Sequence, residues 1–133
     1  MGTERTGQSA NANGVASQLN TYEKSIDEFI DFININPFNS VAWLGKSYNH
    51  LMIGLIYANK DKDETKGCYH FYQAIFSAEA GLSALIEEGL NVEREQNLWA
   101  MKGGAYHLIG KHDEGDKCLE RAGMDLQPTN EPS

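Results

Sequence analysis

The feature that most limits how this chain can fold is a set of small residues at helical spacing between Gln96 and Ala122. Two short helical patterns meet there at Gly110-Lys111-His112-Asp113. In the first, Trp99, Gly103 and Tyr106 recur at spacings of four and three and so share one face. Gly115, Leu119 and Ala122 repeat that spacing in the second. Gly103, Gly115 and Ala122 carry so little side chain that two antiparallel helices can approach closely, while Trp99, Tyr106 and Leu119 fill the space around the contact. The stretch reads as a helical hairpin with a small-residue seam. Gly103 and Ala122 are expected to face one another or a neighbouring helix.

Upstream the helical period recurs three times. From about Leu19 to Ile35, Tyr22, Ile26, Phe29, Ile30 and Ile33 follow it; Thr21 suits an N-cap and Asn36-Pro37 ends it. Ser40 is expected to cap a second helix reaching about Asn59, with Val41, Leu44, Tyr48, Leu51, Met52, Leu55 and Ile56 on one side. Lys60 to Gly67 is a charged connector. Asp61 and Asp63 open like a calcium loop, but no glycine follows Thr65 and Tyr72 sits where the closing Glu belongs. Cys68 to Glu88 is a long helix, apolar on more than one face in its first half, and is expected to be central and packed on two sides. Gly89-Leu90-Asn91 breaks it. Residues 1–17 are small and polar and read as a mobile tail, 18–127 as one helical domain, and 128–133 as a polar C-terminal tail.

Charge and motif content exclude several function classes. A net charge of −8 with no basic tract argues against nucleic acid, whose phosphates need a cationic face. No apolar run approaches the ~18 residues of a membrane span, and no signal segment is visible. A cytoplasmic protein is expected. Met1-Gly2 with Thr6 fits the short N-myristoylation pattern, a weakly specific one. Cys68 and Cys118 form no C-x-x-C pair and read as reduced apolar residues. None of His50, His70, His107 or His112 stands at a spacing that puts two metal ligands on one helix face. Neither a phosphate loop nor a nucleophile with its base is visible, so no catalytic residue, cofactor or metal is expected.

The hairpin of Gln96 to Pro128 resembles a tetratricopeptide repeat, whose pattern is Trp-x2-Leu-Gly-x2-Tyr, then Ala-x3-Phe, then Pro. Here it reads Trp99-x2-Lys102-Gly103-x2-Tyr106, then Gly115-x3-Leu119, then Pro128. Ser25-x3-Phe29 followed by Pro37 is similar to the second helix of such a unit, without its partner first helix. In the middle, Trp43 and Leu44 compete for the family Trp position, and the register stays open. The two Trp residues lie 56 apart, against a family period of about 34, so the middle unit is extended.

The resemblance implies an all-α fold of five antiparallel helices in a short right-handed superhelix. It also implies a groove for a peptide or partner helix on the inner face of the first helices. Carried over by position, that face is Val41, Leu44, Tyr48, Leu51 and Met52 in the middle unit, and Asn97, Ala100, Gly104, His107 and Leu108 in the last. The set of Lys, Asn and Arg with which some family members clamp a C-terminal carboxylate is missing. The expected function is a non-catalytic interaction module, an adaptor or co-chaperone-like subunit. Two alternatives stand beside it: a helical enzyme or small-ligand carrier with a pocket beside the central helix, and a subunit that self-assembles through helix 1. For the last, the uncovered Phe29 and Phe32 are expected to meet a protein partner, a homodimer being the simplest case.

Overall fold

Asparagine or aspartate side chains start three of the five helices in the computed structural model, which describes residues 3–124, and side chains from Gly14 on. The helices are α1 (Thr3–Ile35), α2 (Ser40–Asn59), α3 (Glu64–Glu88), α4 (Val92–Leu108) and α5 (His112–Arg121); the described residues contain no strand. Asn39 caps α2 by accepting from the Ala42 amide (3.1 Å), Asp63 caps α3 through Lys66 (3.1 Å) and Asn91 caps α4 through Arg94 (2.9 Å). Two sequence expectations shift accordingly. The cap of α2 is Asn39 rather than Ser40, and α3 begins four residues ahead of Cys68 because Asp63 is a cap and not part of a free connector. Glycines at positive φ end the last three helices, Gly89 (118°), Gly110 (86°) and Gly123 (84°).

The largest difference from expectation is at the start. Helix α1 reaches back to Thr3, across the stretch read as a tail. The physical reason is cooperativity: once Tyr22, Ile26 and Ile33 hold one end of the helix against α2, each added residue costs only propagation, and residues 3–17 contain no proline to stop it. The expected C-terminal tail, Pro128 and the side chains of the Gly2–Thr6 pattern lie outside the described residues.

Each helix packs on the next, and α2 also touches α4. The two core clusters both centre on α3. Phe71, Ala74 and Ile75 meet Ala105, with Leu51, Leu55, Ala58, Tyr106 and Ile109 around them. Ala78 and Leu85 meet Leu98, flanked by Leu44, Leu82 and Met101. So α3 is central, as its composition suggests, with α2 and α4 both packed on it. Its third side is bare, however: Tyr69, Tyr72 and Phe76 are exposed, so the width of its apolar pattern exceeds what the neighbours cover.

Candidate functional site

Two glycine contacts fix how the hairpins are built. In α4 and α5, a Cβ on Gly103 would sit 2.8 Å from Leu119 Cδ2 and 3.0 Å from the Gly115 carbonyl oxygen, and one on Gly115 would sit 3.0 Å from the Gly103 oxygen. The seam expected there exists, with Gly115 as the residue facing Gly103; Ala122 stands at the C-cap of α5 instead. The same contact recurs between α2 and α3. A Cβ on Gly54 would lie 3.0 Å from the Gly67 oxygen and would overlap the Phe71 ring, and one on Gly67 would lie 3.2 Å from the Gly54 oxygen. Gly54-x2-Tyr57 and Gly67-x3-Phe71 therefore match Gly103-x2-Tyr106 and Gly115-x3-Leu119. In the middle hairpin the close approach thus falls at Gly54, and not at Trp43 or Leu44. The signal in the sequence is the pair of glycines thirteen apart, Gly54 and Gly67.

With the seam at Gly54, the first half of α2 runs well past it. Ser47 donates to the Ala74 carbonyl (2.7 Å) in the extended part. At the far end buried Ser40 donates to Glu88, and Arg94 donates to Ser40 (3.3 Å) and pairs with Glu88 (3.5 Å). One hydroxyl thus joins the start of α2, the end of α3 and the start of α4.

This extension gives α2 an edge that no neighbour fully covers. Val41 and Tyr48 are 49% and 46% exposed, and along this edge lie three shallow depressions. One of about 250 Å³ is lined by Phe29, Phe32, Asn39, Val41 and Ala42, between α1 and α2. A second of about 290 Å³ is lined by Leu44, Gly45, Tyr48, Asn97 and Met101, between α2 and α4. A third of about 220 Å³ holds Tyr22, Met52, Leu55, Ile56 and Lys60. At 1.5 Å per residue the stretch from Val41 to Met52 is about 16 Å long.

The residues expected to bind a partner distribute as follows. Leu44, Tyr48 and Asn97 share one depression, and Val41 and Met52 line the two beside it. Leu51 packs on the Phe71 cluster and belongs to the core. Gly104 faces open space and Ala100 is half-buried, while Leu108 is exposed. His107 turns to α5: its Nε2 lies 2.9 Å from Asp116 Oδ1 and its Nδ1 lies 2.7 Å from His112 Nδ1. Held between Asp116 and His112, this side chain pins the hairpin turn. Phe29 and Phe32 part company. Phe29 lies against Gly45, where a Cβ would overlap its ring, whereas Phe32 is 53% exposed.

Two polar features elsewhere escape sequence reasoning. Between α2 and α3, His50 Nδ1 lies 3.0 Å from His70 Nδ1, and Lys46 Nζ donates to Ser77 Oγ (3.1 Å) and lies 3.5 Å from His50 Nε2. Burial first, then Lys46 and His70, pushes the His50 imidazole down to about 3; burial also lowers His70 and Lys46. Beside α3, an apolar depression of about 270 Å³ is lined by Leu82, Leu85, Ile86, Leu90, Glu95, Trp99 and Arg121. The Trp99 Nε1 is buried with no acceptor among the described residues, and Lys102 and Arg121 each lie over its ring, at 4.9 and 4.5 Å.

Among the described residues no three His, Cys, Asp or Glu side chains group to hold a metal ion, and no helix is long and apolar enough to cross a membrane. No protein-family model, curated protein or solved structure matches the chain.

Proposed function

We propose that this chain is a non-catalytic interaction module of tetratricopeptide type, an adaptor-like subunit that holds a peptide or partner helix along the edge of α2. The observation that carries this reading is the row Val41, Leu44, Tyr48 and Met52, apolar or aromatic, lining three open depressions in succession along one helix. An apolar row of that length in shallow relief suits an extended or helical segment, whereas a small-molecule site converges polar groups in one deep pocket. The repeated seam, Gly54 with Gly67 and Gly103 with Gly115, supports the family resemblance on both hairpins. Two free cysteines suit a reducing, cytoplasmic setting. The test is affinity capture from native extract with wild type and Tyr48→Asp side by side. A partner retained by the wild type and lost by the variant, at unchanged melting temperature, supports the groove. Equal capture by both removes it.

A second reading, a small-ligand carrier, is favoured by the depression beside α3, where the Trp99 indole N–H has no acceptor. Intrinsic Trp fluorescence titrated with small apolar amides in a Trp43→Phe background tests it. Self-assembly through helix 1 rests on Phe32, since α1 packs on α2 alone.

A further inference from the structure

The four histidines of the chain meet in two facing pairs, and the pairs differ in what stands behind them. Across the turn between α4 and α5, His107 Nδ1 lies 2.7 Å from His112 Nδ1, with the rings tilted by 41°. The backbone sets this approach. Gly110 takes a left-handed conformation (φ 86°) and the Lys111 amide returns to the Tyr106 carbonyl (2.9 Å), so the last turn of α4 and the first of α5 stand side by side. On the far side of the His107 ring, Nε2 is 2.9 Å from Asp116 Oδ1, and a Cβ on Gly115 would come within 2.8 Å of the same nitrogen. An ionised carboxylate only accepts, so Nε2 carries a proton and Nδ1 is the nitrogen turned to His112. His112 is exposed, and the His107 side chain keeps 31% of its surface in water. The other pair differs on both counts: His50 is 7% exposed, and Lys46 rather than a carboxylate faces its Nε2, at 3.5 Å.

From this geometry we propose that His107 and His112 form a two-imidazole site for a divalent first-row transition ion, Cu(II) above the others. At 2.7 Å one proton lies between the two nitrogens; the ion takes its place, and that proton leaves to solvent whichever ring held it. Imidazole nitrogen binds such ions at about 2.0–2.1 Å. Two neighbouring nitrogens are then roughly 2.8–3.0 Å apart in a tetragonal shell and roughly 3.3–3.4 Å apart in a tetrahedral one. The observed spacing is nearer the first, which suits Cu(II) and Ni(II), and Cu(II) is the tighter binder of the two. Asp116 stands where a carboxylate orients a ligating imidazole through its far nitrogen, so it is a positioning residue and not a ligand. Water completes the shell on the exposed side. Spacing along one helix cannot show this pair, because one ligand lies in the last turn of α4 and the other opens α5. The site stands apart from the groove, since His107 is turned to α5.

The experiment titrates the full chain with Cu(II), in a Cys68→Ser background because the exposed Cys68 thiol would compete for copper and reduce it. Binding is read by calorimetry and the ligands by electron paramagnetic resonance. The expected result is one saturable equivalent whose spectrum carries coupling to two imidazole nitrogens, together with a rise in melting temperature, as binding to the native state requires. His107→Ala and His112→Asn should each weaken binding at least about tenfold, and His112→Asn should leave one imidazole coupling. The Asn amide stands about where Nδ1 stood and keeps a bond to His107, so this variant gives the answer if His107→Ala does not fold. Asp116→Ala should weaken binding roughly tenfold, and Asp116→Asn, which can still accept from Nε2, should weaken it less. His70→Gln should change nothing. The proposal is overturned by the absence of a saturable equivalent, by binding that is indifferent to His112→Asn, or by binding lost with His70→Gln instead. Asp116→Ala with unchanged affinity and an unchanged spectrum would overturn the positioning role.

Discussion

His50 shows how a single residue carries a cost that only its surroundings reveal. It is 7% exposed, paired to His70 and crowded by Lys46, so its imidazole stays neutral down to about 3. An unfolded chain would protonate it near 6.5. Between those values the unfolded state binds the extra proton, so stability is full above about pH 6.5 and falls as pH drops toward 3. The slope from this one group is up to about 1.4 kcal/mol per pH unit. Denaturant melts between pH 7 and 5 should show that decline, and His50→Gln should flatten it. A wild-type midpoint that stays constant over this range would mean that His50 is solvated in the native protein. Nothing in the sequence marked this pair: His50 and His70 are twenty apart and meet only because α2 and α3 close on each other.

At the scale of elements, the hairpins are built on backbone contact rather than on side-chain volume. Gly54 and Gly67, like Gly103 and Gly115, bring main-chain oxygen within about 3 Å of where a Cβ would stand, so these positions tolerate no added atom without the helices separating. Gly103→Leu should cost on the order of 1–3 kcal/mol or more by overpacking. Gly54→Leu should cost at least as much, because it meets the Phe71 ring in the main core as well as the Gly67 backbone. Equilibrium unfolding checks both, and a midpoint unchanged in either variant would remove the seam at that hairpin. Gly104 is the internal control. It is the neighbour of Gly103 with open space beside it, so Gly104→Ala should be neutral or slightly stabilising through helix propensity.

For the molecule as a whole, Ser40 is the point where three helices are tied. Its hydroxyl is fully buried, gives its proton to Glu88 and receives one from Arg94. Ser40→Ala should cost about 1–2 kcal/mol, since Glu88 and Arg94 each lose a partner but keep each other. Thermal melts of the variant read this directly, and a loss well below 1 kcal/mol would mean that the Glu88–Arg94 pair closes the junction without the hydroxyl. The junction holds the extended half of α2, where Val41, Leu44 and Tyr48 of the proposed groove lie, against α3 and α4.

What the sequence alone determined is what depends on local periodicity and steric size. The existence and order of five helices, the central place of Cys68–Glu88 and the close approach at Gly103 are all legible because apolar spacing and missing side chains act within one or two turns. Only the tertiary structure decided the rest. Which small residue faces Gly103, where α2 and α3 approach most closely, and whether Leu51 or His107 turns to the core, the hairpin or the α2 edge depend on the relative rotation and translation of helices far apart in the chain. The reach of α1 to Thr3 was hidden for another reason: a polar stretch has little helical preference by itself and becomes helical when a packed helix already nucleates it. Periodicity names the face of a helix, but burial of that face is shared among whichever neighbours arrive, and one sequence read along its length does not contain their angles.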